Sequence, residues 1–134
     1  MLAKYFRYHT YYLIVKKDHF TLRLLETKQE FRVQVEEGMS SKSLLVGNLR
    51  VAKRVLKESV DKLSQGFSFT KPLIVIHPTK ILKKELSEVE KKLYLELSRS
   101  IKARKTVFHL GGELNFKELE ALVDAEDGVD VSKL

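Results

Sequence analysis

The chain has 134 residues, 43% of them hydrophobic, which is enough for one core and too short for two ordinary domains. It has no cysteine, which excludes disulfides, thiolate metal sites and thiol nucleophiles and suits a reducing cytoplasm. The net charge of +7 is unevenly placed: residues 113–134 carry seven acids against two lysines, a balance of −5, which leaves a basic body of +12 that fits nucleic acid, anionic lipid or only solvent.

The first residues, "MLAKYFRYHTYYLIVKK", interrupt their apolar positions with Arg7, His9 and Thr10, so they lack the continuous core of a signal peptide. No run approaches the roughly 20 apolar residues of a spanning helix. Leu2, Tyr5 and Phe6 fall on one side of a helix with Lys4 and Arg7 beside them, the arrangement of a short interfacial anchor. The alternative is that these residues begin the first strand. An anchor of two turns binds lipid only marginally and needs the basic body as a second contact.

"YYLIV" at 11–15 predicts a first strand. Phe20, Leu22 and Leu24 alternate with polar residues, as do Phe31, Val33 and Val35, which predicts two further half-buried strands. Turns near Lys17-Asp18 and Thr27-Lys28-Gln29 make the three an antiparallel meander. Gly38 and the serines at 40, 41 and 43 break the pattern.

Leu45, Leu49, Ala52, Leu56, Val60 and Leu63 then mark one face of an amphipathic helix ending before Gly66. "PLIVIH" at 72–77 predicts a strand covered on both faces. Ser87 and Glu90 form a capping box ahead of the stripe Val89, Leu93, Leu97, Ile101, so a second helix starts near Ser87. "KTVFHL" at 105–110 returns to strand character, Gly111-Gly112 ends it, and Asn115 with Glu118 caps a short last helix carrying Leu119, Leu122 and Val123. Residues 1–126 are expected to form one domain, and 127–134 a frayed acidic end.

The element order β-β-β-α-β-α-β-α is that of an α/β domain. Three antiparallel strands followed by right-handed crossovers predict a mixed five-stranded sheet with helices on its faces, which resembles a ribonuclease H-like domain. That fold houses nucleases, resolvases and the repeating half of actin-like ATPases, and fold alone does not choose among them.

Residues 69–110 resemble a segment of the MreB-type bacterial actins. In that family a buried strand ends in a proline, a helix opens on Thr-x-Val-Glu-Arg-Arg, and Gly-Ala-Arg precedes the next strand. Pro78, Ser87-Glu88-Val89-Glu90-Lys91-Lys92 and Ala103-Arg104 stand at those places. "VGNLRVAKRVLKESVDKL" is similar to the preceding helix, and "MLAKYFR" to the short basic, aromatic start of some members.

The resemblance raises the question of nucleotide. Actin-like ATPases carry an Asp-x-Gly-Thr-type turn on the first hairpin, where a glycine lets backbone amides approach phosphate and the acid helps place the metal-bound water. Here Lys16, Lys17, Asp18 and His19 occupy that place, with no glycine and with side chains that crowd a close approach. Such enzymes also bind nucleotide between two halves of the chain, and this sequence has material for one. The expectation is a degenerate phosphate turn without nucleotide, cofactor or metal.

Other chemistry finds no support. A ribonuclease H-like nuclease needs acids converging on two metal ions, one of them on the first strand, and "YYLIV" has none. The histidines at 9, 19, 77 and 109 lack ligand spacing and read as structural, although His77 and His109 could lie near one another at the ends of adjacent strands. The "KKELSEVEKK" run has both signs at helical spacing and reads as a solvated face.

The expected function is therefore binding and not catalysis: a shortened actin-like protein acting as adaptor or regulator in bacterial cell-shape or envelope machinery. It would be cytoplasmic or peripheral at the inner face of the membrane. Its expected partners are bacterial actin or envelope proteins, weakly an anionic membrane, or a second copy of itself. The alternative is a nucleic-acid-binding protein using Arg50, Lys53, Arg54 and Lys57 on the first helix, although no aromatic accompanies that stripe.

Overall fold

The computed structural model describes residues 9–16, 19–34, 49–64, 72–79 and 88–125. The elements follow in the order β1 (Thr10–Val15), β2 (His19–Leu24), β3 (Gln29–Gln34), α1 (Leu49–Ser64), β4 (Leu73–Pro78), α2 (Glu88–Ser100), β5 (Lys105–Phe108) and α3 (Phe116–Ala125). This is the α/β class expected, with one mixed sheet in the order β3-β2-β1-β4-β5. β2 is antiparallel to β1 and β3, whereas β1, β4 and β5 are parallel, so β2 runs against the other four.

The two sheet faces are covered separately. Tyr11, Leu13, Ile74 and Ile76 pack with Leu56 of α1 and Leu97 of α2. Tyr12, Ile14, Val75 and Val107 pack with Leu119 of α3. The period of two along β1 and β4 produces this division, because successive side chains point to opposite faces. Both strands are buried throughout, as their continuous apolar runs require of strands with helices on each side. In α1, Ala52, Leu56, Ser59 and Leu63 are buried at steps of four, three and four, one stripe of a helix.

The helix ends carry their own hydrogen-bond chemistry. At the start of α3 the Asn115 amide donates to Glu118 Oε1 at 3.0 Å, and the Glu118 amide donates to Asn115 Oδ1 at 2.8 Å, the reciprocal box that the sequence predicts. At the end of α2 the Ala103 amide donates to the Ser98 carbonyl at 3.0 Å and the Lys102 amide to Arg99 at 3.0 Å. Lys102 itself has φ 56°, the left-handed residue of a Schellman ending.

Several boundaries differ from the sequence reading. The β2–β3 turn is Leu25–Lys28 and β3 begins at Gln29, one turn residue earlier than the alternation suggests. Lys28 takes the left-handed turn position at φ 58°, and the Gln29 amide donates to Thr27 Oγ1 at 3.3 Å. β4 runs through Pro78, which pairs with Val15 at the strand end, where a missing amide is tolerated. β5 stops at Phe108, short of Leu110, because Gly111 at φ 141° turns the chain. The residues before Leu49 in the first helix, Ser87 of the second capping box, Val35 and the boundary at 126/127 lie outside the described residues. Among the described residues no helix is long and apolar enough to cross a membrane.

Candidate functional site

The parallel strands β1, β4 and β5 end side by side, and in open α/β sheets this carboxyl end is where ligands gather. Lys16 and His19, which flank the β1–β2 connection, lie here. The Lys16 amide donates to the His19 carbonyl at 2.9 Å, closing the hairpin, and the Thr79 amide and hydroxyl both donate to the Val15 carbonyl, at 3.0 and 2.9 Å. These amides are spent on the protein's own carbonyls. Lys17 and Asp18 lie outside the described residues.

His77 and His109 come together beside the ends of β4 and β5, with ring centroids 4.8 Å apart. Both rings fall on the α3 side of the sheet. His77 is 1% exposed. Its Nε2 lies 2.8 Å from the Gly111 carbonyl, which can only accept, so the ring proton sits on Nε2 and Nδ1 is left as an acceptor. The Tyr12 hydroxyl donates to that Nδ1 at 2.7 Å, and its oxygen accepts the Leu114 amide at 3.0 Å. His109 Nε2 likewise donates to the Gly112 carbonyl at 2.8 Å.

Burial holds the His77 pKa below its ordinary value, with His109 and Lys16 acting the same way against the Gly111 carbonyl and Glu113. Burial also raises the Tyr12 hydroxyl. A neutral phenol and a neutral imidazole are therefore the stable pair. The polar atoms of this pair are all engaged, and two of its three contacts go to backbone, so it binds the loop after β5 to the sheet and offers no free acid or base.

Outside this network an open groove of about 610 Å³ separates the β2–β3 hairpin from the start of α3, lined in part by Arg23, Lys28, Glu30, Glu113, Asn115 and Glu118. Arg23 Nε donates to Glu30 at 2.7 Å and its Nη2 to Glu113 at 3.0 Å. Burial works against the Arg23 charge, but the bonds to both carboxylates outweigh it and hold the guanidinium above its ordinary value. Among the described residues no group of three or more His, Asp or Glu side chains is arranged to hold a metal ion.

Against known protein families, curated proteins and solved structures, the chain matches none.

Of the basic stripe, Arg50, Arg54 and Lys57 are exposed along α1, whereas Lys53 Nζ lies 3.3 Å from Glu96 of α2 and ties the two helices. The anchor residues Leu2, Lys4, Tyr5, Phe6 and Arg7 lie outside the described residues. Sequence reasoning missed Tyr12, Arg23 and Glu113. Arg23 and Glu30 are direct partners in the β2–β3 register, so a hairpin alignment would have found that pair. Tyr12 gave no such signal, because within "YYLIV" it reads as one more buried apolar residue.

Proposed function

We propose that the chain is a ribonuclease H-like domain related to the MreB-type bacterial actins, acting by binding as an adaptor or regulator in cell-shape or envelope machinery. The sheet order β3-β2-β1-β4-β5 with β2 reversed, α1 and α2 on one face and α3 on the other, supports the fold in this reading, and the resemblance of residues 69–110 carries the family. A second observation supports it. The resemblance places glycine just before Ala103-Arg104, and Lys102 there holds φ 56°, a conformation that favours glycine.

Binding in place of catalysis is supported at the first hairpin, where the Lys16 amide is bonded to His19 and not open to phosphate. Weak, salt-sensitive contact with anionic membrane through Leu2, Lys4, Tyr5, Phe6 and Arg7 belongs to the same proposal. The test is co-sedimentation with filaments of a purified MreB-type actin, beside calorimetric titration with magnesium ATP and GTP. The chain is expected to pellet with filaments and to give no nucleotide heat. No co-pelleting overturns the adaptor reading, and a micromolar nucleotide site overturns the non-catalytic one.

The exposed row Arg50, Arg54 and Lys57 favours nucleic acid as the second reading. Binding by that row falls steeply with salt, because each neutralised phosphate releases counterions. Tight binding to duplex or single strands retained at physiological salt would put this reading first.

A further inference from the structure

We propose that Tyr12, His77 and the Leu114 amide form an acid-released latch: protonation of His77 frees the segment 109–115 and the α3 helix it leads into, and opens the groove beside the β2–β3 hairpin. The latch joins three parts of the chain that are remote in sequence. Tyr12 lies on β1, His77 on β4, and Gly111 and Leu114 on the connection from β5 to α3, bonded in series at 2.7, 2.8 and 3.0 Å.

The series has one polarity. With the His77 proton on Nε2 and given to Gly111, Nδ1 must accept, and the Tyr12 hydrogen points at it while the Tyr12 oxygen takes Leu114. A second proton on Nδ1 faces the hydroxyl hydrogen. Tyr12 must then turn its hydrogen away, and a positive charge stands at a residue 1% exposed.

The surroundings do not neutralise that charge. Lys16 at the end of β1 and His109 after β5 oppose it. The Gly111 carbonyl, 2.8 Å from Nε2, and Glu113 favour it, but one neutral carbonyl does not balance a full charge, Glu113 is held 3.0 Å from Arg23 of β2, and Glu118 of α3 is engaged with the Asn115 amide. The charge is relieved by water, which enters when the 109–115 segment lifts.

That segment is built to lift. Gly111 stands at φ 141°, and nothing lies within 4 Å of where a β-carbon would sit on Gly112. Beyond them α3 places one fully buried side chain among the described residues, Leu119, against the sheet, with Phe116, Leu122 and Val123 partly buried. Elements with few buried contacts open at lower free energy than the strands beneath them. Lifting also parts Glu113 from Arg23, which widens the groove those residues share.

The test is amide hydrogen exchange of the intact chain, read residue by residue and corrected for intrinsic rates. Between about pH 7.5 and about pH 5.5 the amides of Leu119–Val123 are expected to exchange on the order of tenfold faster, the effect of losing a network hydrogen bond, while those of β1 and β4 hold. The His77 ring, followed by NMR, titrates with the same midpoint. In Tyr12→Phe, α3 exchanges fast at both pH values; in His77→Gln its pH dependence disappears, and in His109→Gln it remains. Acceleration of α3 and β4 together, a His77 midpoint apart from the α3 transition, or pH dependence undiminished in His77→Gln overturns the latch. The first two readings need only the native chain.

Discussion

Tyr12 and His77 lie 65 positions apart in the sequence and share a 2.7 Å hydrogen bond across neighbouring parallel strands, on the face that α3 covers. Tyr12↔Val75 and Ile14↔His77 are register partners, so Tyr12 and His77 are diagonal neighbours with stacked rings at 5.9 Å.

Tyr12→Phe keeps the ring and removes the hydroxyl. The part-buried Leu114 amide loses its acceptor and the buried His77 Nδ1 its donor. Leaving such groups unpaired costs about 1–3 kcal/mol, so a loss of about 2 kcal/mol is expected in urea denaturation at neutral pH. An unchanged midpoint would show that water replaces the hydroxyl.

Acid should weaken the fold through His77 and His9. His77 has a folded pKa below 6.5, chiefly through burial, and burial lowers His9 as well. The unfolded chain then binds protons first. The stability these groups contribute is present above pH 6.5 and falls as pH drops toward their lowered folded values. Urea midpoints should decline through this window, and His77→Gln should reduce the decline while leaving the share due to His9.

Lys102→Gly should stabilise the protein. Lys102 holds φ 56° at the end of α2, where a side chain is strained and glycine is not. Glycine adds freedom to the unfolded chain, so the net gain expected is about 0.5–1 kcal/mol. Thermal or chemical denaturation measures it, and Lys102→Ala, which keeps the β-carbon, should give no comparable gain.

Asn115→Ala removes the acceptor of the Glu118 amide and breaks the capping box of α3. A cost of about 1 kcal/mol is expected for a cap of this kind. Asn115→Asp, which preserves the acceptor at the positive end of the helix, should restore most of it. Urea denaturation of the two variants separates capping from any general sensitivity of the loop.

The order of elements was legible in the residues because each depends on neighbours close in the chain. Alternation at Phe20, Leu22 and Leu24, the three-and-four stepping of Ala52, Leu56 and Leu63, and the Asn115–Glu118 box all act within a few residues, through side-chain direction or a single local bond. The continuous run "LIVI" implied two covered faces without saying which helix covers which. That His77 and His109 could lie near one another was also legible, from their places at the ends of adjacent strands.

The tertiary structure alone decided the polar bonds that join distant segments. Whether Tyr12 is merely apolar or also a hydrogen-bond partner depends on the Leu114 amide, 102 positions away, arriving over its hydroxyl. Arg23 could be matched to Glu30 by hairpin register, but its second carboxylate, Glu113, comes from the far end of the sheet. Local sequence carries hydrophobic periodicity because burial is non-directional and needs only the correct face. It does not carry a hydrogen bond between remote residues, since that bond exists only at the distance and angle set by packing the whole sheet.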